Sequence, residues 1–361
     1  MSKHRKVVFL SKHWPSDHPM LLRWKHYYES RGVKFISLHV QWNLYYADRK
    51  RKIRQLLLLF LFMIRHRAFL LHTNDLESAK VALKTKQLTG IPFVYDAHEV
   101  FSHEYPLEID GQFYKDFKKK AEQLILPAAD IVIVPNNERI AFFKQLYPKL
   151  KQVNYILLEN KSWTATNVPV NKRFTDQLGS KKSLFYGGTF WMGRKQENFP
   201  LLASALKKVD LQLVLSGSMN DYLKQLLQKD EAVYVGNIPV DEYNDFTRNI
   251  DVALAWYYPT TINDELCAPL KIFDYLYAGK PVLAARLPYI QELCVRFPGA
   301  IIMFEPGNWE ECFMKTKEIV RDYDQYKAAV EAIPKEQLTW EGQYDFIDHQ
   351  LKRAGIQLCV A

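Results

Sequence analysis

Several features are scarce in this chain, and each scarcity removes a class of protein. There are four cysteines, Cys267, Cys294, Cys312 and Cys359, none in a C-x-x-C pair and all near the C-terminus. Neither a disulfide framework nor a zinc site is indicated, and a reducing compartment suits them. The apolar run Leu56–Ile64 is nine residues long, set between RKRKIR and RHR, where a bilayer-spanning helix needs roughly 20. The opening MSKHRKVVFL passes into polar residues without a cleavable apolar segment, so a cytoplasmic protein is expected. The histidines are scattered and no D-x-D stands in a suitable turn, so no metal site is expected. RRM, KH, zinc-finger and helix-turn-helix patterns are lacking, which weighs against nucleic acid as a partner. No low-complexity tract or Pro/Gly/Ser-rich linker appears, so nearly the whole chain is expected to fold.

What is present begins with length and charge. A chain of 361 residues fits two domains of roughly 150 residues better than one core. Its net charge of +9 is uneven: residues 1–67 hold 15 Lys/Arg against Asp17, Glu29 and Asp48, a net +12, and the remainder is −3. The same segment carries six of the ten histidines and Trp14, Trp24, Tyr27, Tyr28, Trp42, Tyr45 and Tyr46. A basic, aromatic-rich face suits a polyanionic partner, anionic lipid or nucleic acid. Residues 49–67, with cations at both ends and an apolar middle, have the makings of an interfacial helix, and equally of a buried helix with solvated ends.

Periodicity gives the fold class. Strands are predicted at Lys6–Leu10, Val33–Val40, Phe69–His72, Phe93–Asp96 and Ile131–Pro135, with helices at Pro19–Arg31, Leu76–Thr89 and Phe113–Ala128 between them. After Asn160 a polar stretch interrupts, and the alternation restarts. Strands are predicted at Ser183–Tyr186, Leu211–Ser216, Ala232–Val235, Val252–Trp256 and Val282–Ala284, and helices at Phe199–Lys207, Tyr222–Gln228, Asp241–Asn249 and Leu270–Ala278. Alternation of this kind builds parallel sheets covered on both faces. The expected organisation is α/β: two Rossmann-like domains, 1–165 and 166–335, facing a central cleft, and a C-terminal segment, 336–361, whose helix crosses back to the first domain. Ligands bind at the carboxyl ends of the strands in such sheets.

The stretch Ala268–Ala284, APLKIFDYLYAGKPVLA, combines a Pro/Lys helix entry, an acid within the helix and a Gly-Lys-Pro stop before an apolar strand. It resembles the P-x-K-x-x-E-Y-x-x-x-G-K-P-V signature of retaining glycosyltransferases of the GT-B fold, group 1 or family 4-like. A helix N-terminus with Lys271 beside it can hold a diphosphate, and Asp274 stands where the family's glutamate accepts hydrogen bonds from ribose hydroxyls. Taken alone, Lys271 and Asp274 read as well as solvated residues of an amphipathic helix. SLFYGGTFWMGRK, Ser183–Lys195, resembles the family's strand, glycine turn and basic pair. There Gly187 and Gly188 would let backbone N–H groups approach the donor, and Arg194 and Lys195 would neutralise the departing diphosphate. A β-turn with two surface cations is the plain alternative.

The rest of the resemblance is weaker in each part and covers nearly the whole chain. VLSGSMNDYL, with Ser216 and Gly217, and VYVGNIPVDEYNDF, with Gly236, Asn237 and Ile238, look like the family's phosphate and base loops. Pro269, Leu270 and Asn263 complete the implied donor site. FVYDAHE, Phe93–Glu99, resembles the strand end where a histidine faces the donor sugar, which implies a catalytic role for His98 with Glu99 orienting it or the acceptor. AADIVIVPNNE and Trp340 follow the family's order of elements. Two departures stand out: the first acid of the family's E-x7-E pair falls on Leu266, with Asp264 and Glu265 close by, and the glycine-rich first loop is replaced by SKHWPSDHPM, bringing His13, Asp17 and His18. The implied activity is metal-independent, hexosyltransferase-type transfer from a UDP- or GDP-sugar to a glycan or lipid-linked acceptor in polysaccharide biosynthesis, at the inner membrane surface and without a further cofactor. A sugar-nucleotide epimerase of the same architecture, a nucleic-acid-binding protein and an inactive scaffold are the alternatives.

Overall fold

The computed structural model describes residues 5–12, 18–39, 61–63, 65–66, 68–105, 107–150, 152–164, 168–190, 193–218 and 232–358. The chain divides into two compact units, residues 1–159 with 343–361 and residues 160–342. Each is an α/β body around a six-stranded sheet.

In unit one the strands are β1 (Lys6–Ser11), β2 (Lys34–His39), β3 (Ala68–Thr73), β4 (Phe93–Asp96), β5 (Ile131–Val134) and β6 (Tyr155–Leu157). They are all parallel and lie in the order β2-β1-β3-β4-β5-β6. Val7, Val8, Phe9 and Leu10 of β1 are all fully buried, the continuous apolar run expected of a strand covered on both faces. The helix Leu76–Thr89 starts on Asp75, whose side chain accepts from Ser78 N, and ends on Gly90 at φ 72°, the paired start and stop signals of a well-capped helix. The helix Pro19–Ser30 carries Pro19 in its first turn and buries Trp24, Tyr27 and Tyr28.

The C-terminal helix Tyr344–Arg353 belongs to unit one. Tyr27 Oη donates to Asp348 at 2.6 Å, the Arg31 guanidinium bonds the same carboxylate at 2.8 Å, and that guanidinium lies 4.9 Å from the Tyr344 ring centroid. The units divide between residues 159 and 160 and between 342 and 343, rather than at 165 and 335. Residues 160–164 go with unit two because Ser162 bridges to Thr339, Trp340 N donates to Ser162 O at 2.6 Å, and Thr164 bonds Glu341.

Unit two holds β7 (Lys182–Gly187), β8 (Leu211–Ser216), β9 (Ala232–Gly236), β10 (Val252–Ala255), β11 (Val282–Ala285) and β12 (Ile301–Phe304). The order is β12-β11-β10-β7-β8-β9, again all parallel. The helix predicted at 113–128 spans Leu107–Ile125 and takes up Gly111 at a non-helical φ of 68°. The one predicted at 241–249 shortens to Tyr243–Thr247, and the one predicted at 222–228 lies outside the described residues.

Candidate donor site in unit two

In unit two β7 and β10 are neighbours, and the chain leaves them toward opposite edges of the sheet. The crevice at their carboxyl ends is therefore where a sheet of this topology takes its ligand. Gly187 ends β7 there. A Cβ on Gly187 would lie 2.0 Å from Tyr243 Oη, and one on Gly217, beyond β8, would lie 1.9 Å from the Gly188 carbonyl oxygen. No side chain fits either place. Their N–H groups are already engaged: Gly187 N donates to Tyr275 Oη at 3.2 Å, Gly188 N to Ser216 O at 2.9 Å and Gly217 N to Gly236 O at 3.1 Å. This corrects the expectation that Gly187 and Gly188 offer backbone donors to the donor substrate. They act by clearance, letting two loops approach one another. Ser216 Oγ is likewise spent on Gly236 O at 2.9 Å.

Facing this turn is the helix Leu270–Tyr277, which begins after Pro269 with no side-chain cap and no acidic residue in its first turn. Its first N–H groups and dipole favour an anion. Lys271 sits in that turn, half-buried, with Nζ 4.6 Å from the Tyr186 ring centroid and 5.3 Å from that of Tyr257. A Cβ on Gly188 would come within 2.8 Å of this amine, so Lys271 rests on the bare face of the glycine. Burial first, and then the Arg194 charge, push the Lys271 amine down to about 8. Arg194 is thus electrostatically joined to Lys271, and it pairs with Asp264 at 3.4 Å.

Lys195 packs on a different ring. Its backbone is left-handed, φ 53°, and its Nζ lies 4.4 Å from the Tyr258 ring centroid, while a Cβ on Gly307 would be 2.6 Å from its Cδ. Tyr258 and Gly307 are thus the neighbours that fix this side chain. The remaining predicted residues differ in exposure. Pro269 and Asn263 are buried, Leu270 and Ile238 half-buried and Asn237 exposed, while Gly236 has φ 82°. Asp274 lies one turn into the helix; burial chiefly, and its charge in a small part, raise the Tyr243 and Tyr275 phenols, and the same charge supports protonation of Lys271. Asp264 is committed to the loop before it, accepting from Thr260 Oγ1 at 2.8 Å, and Glu265 is exposed.

Sequence reading missed the tyrosine floor beneath this crevice. Tyr186 Oη donates to Thr189 O at 3.1 Å and accepts from the buried Gln196 amide at 2.7 Å, and Tyr243 Oη bonds Tyr275 Oη at 3.2 Å. Burial holds the Tyr243 and Tyr257 phenols well above their ordinary range and Tyr186 up to about 12, so these are neutral hydrogen-bonding groups. The available signal was chemical: a tyrosine at a position that reads as apolar core needs a partner for its hydroxyl.

In unit one His98 and Glu99 follow β4. His98 Nδ1 is 3.3 Å from Asp96 O and its ring packs edge-on to Phe101. The buried Arg139 donates to the His98 carbonyl and lies 3.8 Å from the Glu99 carboxylate. His18 is the N-cap of the helix Pro19–Ser30, its Nδ1 accepting from Met20 N at 3.4 Å. His13 and Asp17 lie outside the described residues, as does most of residues 49–67, read from sequence as either an interfacial or a buried helix. Among the described residues no helix is long and apolar enough to cross a membrane, and no group of three or more His, Cys, Asp or Glu is placed to hold a metal.

No family model matches the sequence, and no curated protein matches it. Solved structures do match its fold over nearly the full length. A sucrose-phosphate synthase from Thermosynechococcus elongatus is similar at TM-score 0.70 and 15% identity, covering 97% of this chain and 99% of its own. HepE from Anabaena, solved with UDP and glucose, is similar at TM-score 0.70 and 14% identity, covering 97% and 100%. A UDP-N-acetylglucosamine 2-epimerase is similar at TM-score 0.59 and 13% identity, covering 98% and 96%. The chain therefore has the two-unit α/β fold found in GT-B glycosyltransferases and in sugar-nucleotide epimerases.

Proposed function

We propose that this chain is a metal-independent glycosyltransferase that moves a hexosyl group, with retention, from a UDP- or GDP-sugar to a glycan or lipid-linked acceptor. The observation that carries the reading is the uncapped N-terminus of Leu270–Tyr277, with Lys271 lying on Gly188 at the switch crevice of unit two. Arg194 adds positive charge, and the developing diphosphate charge is what such a transfer must stabilise. Asp274 takes the ribose hydroxyls, Asn237 and Ile238 line the base, and His98 with Glu99 serve the transferred sugar. HepE, of the same fold, was solved with UDP and glucose, which supports a nucleotide-sugar donor. The net +12 of residues 1–67 supports attachment to an anionic cytoplasmic membrane surface, read out by co-sedimentation with anionic vesicles.

The test is a thermal-shift panel of UDP-, GDP-, ADP- and CMP-sugars followed by turnover. A true donor at a hundred times its Kd adds about 2.7 kcal/mol of stability, and released nucleotide then rises when acceptor is supplied. Conversion of the donor sugar without any acceptor would instead favour the epimerase reading, which the fold match to the 2-epimerase supports. No shift with any nucleotide sugar would overturn both.

A further inference from the structure

The helix Leu270–Tyr277 has no side-chain cap of its own, so the direction of its first N–H groups depends on how the chain enters it. Pro269 lacks an N–H and cannot anchor that entry by donating. The anchor comes from a residue distant in sequence: Asn160 Nδ2 donates to the carbonyl of Ala268, one residue before the proline, at 3.0 Å. Asn160 is half-buried and Ala268 buried. Asn160 is itself held in place. Two residues on, Ser162 N donates to Leu338 O at 2.9 Å, and Trp340 N donates to Ser162 O at 2.6 Å. Leu338 in turn shares a buried apolar cluster with Ile272 and Leu276 of the same helix.

The opening segment of unit two and this helix are thus joined twice, by apolar packing on the buried face and by one side-chain hydrogen bond at the N-terminus. Apolar packing is non-directional and does not fix the tilt of a peptide group. A held donor beside the Ala268 carbonyl does, and dipoles aligned in advance stabilise an anion better than dipoles that must reorient. The amide suits the task, since Nδ2 offers a hydrogen where a carboxylate of the same shape would oppose the carbonyl. We propose that Asn160 is a positioning residue of the donor site, aiming the helix N-terminus and Lys271 at a diphosphate by holding Ala268. It acts through Ala268 rather than on substrate. The purpose of the contact rests on the donor reading; the contact itself does not. Were Asn160 only a tie in the fold, its loss would lower stability without choosing between phosphate and base.

The experiment is calorimetric titration of UDP and uridine into the full-length wild type, Asn160→Ala, Lys271→Ala and the double variant, with amide hydrogen exchange followed over residues 266–276. Asn160→Ala should weaken UDP about fivefold, the worth of roughly one net hydrogen bond, and leave uridine affinity unchanged. Asn160→Asp, nearly isosteric but without the donor, should lose at least as much, which covers an alanine that disturbs the fold. In the Lys271→Ala background the loss on removing Asn160 should be smaller, because coupled residues do not add. Exchange over 266–276 should quicken in both Asn160 variants while that of Lys182–Gly187 keeps its rate. UDP affinity retained in both variants, an equal loss of uridine affinity, full additivity with Lys271→Ala, or unchanged exchange would overturn the role of Asn160. Wild-type protein that binds no UDP would instead overturn the donor reading, and the exchange result would still decide whether Asn160 holds the helix entry.

Discussion

In unit two Lys271 lies over Tyr186 at 4.6 Å and Lys195 over Tyr258 at 4.4 Å, whereas in unit one Lys12 pairs with Glu77, Lys118 with Glu104 at 3.5 Å and Arg139 with Glu99 at 3.8 Å. Arg194, paired with Asp264, and Lys80, 3.8 Å from the Phe117 ring centroid, are the exceptions on either side. An aromatic face positions a cation without cancelling its charge, while a carboxylate cancels it. Two sheets built by the same alternation of strand and helix therefore present different fields at their carboxyl edges.

The sharpest break in the comparison is steric. In Gly217→Ala the new methyl meets the Gly188 backbone, which cannot swing aside, and the expected cost is about 3 kcal/mol or more, with loss of UDP binding. Gly90→Ala in unit one adds a methyl to open space at φ 72° and should cost only about 1 kcal/mol, the strain of the left-handed conformation. Paired denaturant melts check both; equal losses would remove the close-approach role of Gly217.

A smaller effect follows from proton linkage. The Lys271 amine, held down to about 8 by burial and by the Arg194 charge, is expected to be drawn back to its charged form by a diphosphate. UDP binding should take up protons from about pH 8 upward and weaken as pH rises through that range, with no uptake below about pH 7, where the amine is charged in both states. In the empty protein the penalty on stability from Lys271 is fully present below pH 8 and fades as pH climbs toward the unfolded value. Calorimetry in buffers of different ionisation heat reads the uptake; none at pH 8.5 would place Lys271 outside the phosphate field. Least of all, Asp348→Ala, which frees Arg31 and Tyr27 at the C-terminal helix, should cost about 1 kcal/mol and leave UDP affinity unchanged.

Most strands were legible because each is a short apolar run with nothing polar inside it: Val7–Leu10, Phe93–Tyr95, Ile131–Val134 and Val252–Ala255 admit no other burial. Between Ala285 and the C-terminal helix the elements were not read, among them the helices Pro288–Arg296 and Trp309–Arg321 and strand β12. The unread β6, Tyr155–Leu157, has only three residues, too few for a period. Of the site, Lys271 at a helix N-terminus was legible, since proline entry and glycine exit bracket the helix locally. The engaged N–H groups of Gly187 and Gly188, the diversion of Lys195 onto Tyr258 and the tyrosine floor were not, because each is set by a residue distant in sequence.

On the proposed reading Lys271 holds phosphate rather than base or sugar. Calorimetric titration of UDP and of uridine into wild-type protein and Lys271→Ala tests that directly. A charge-assisted bond of about 1.5–3 kcal/mol predicts a roughly 10- to 100-fold loss of UDP affinity with uridine affinity unchanged. UDP affinity unaltered by the substitution, or lost in equal measure with that of uridine, would contradict it.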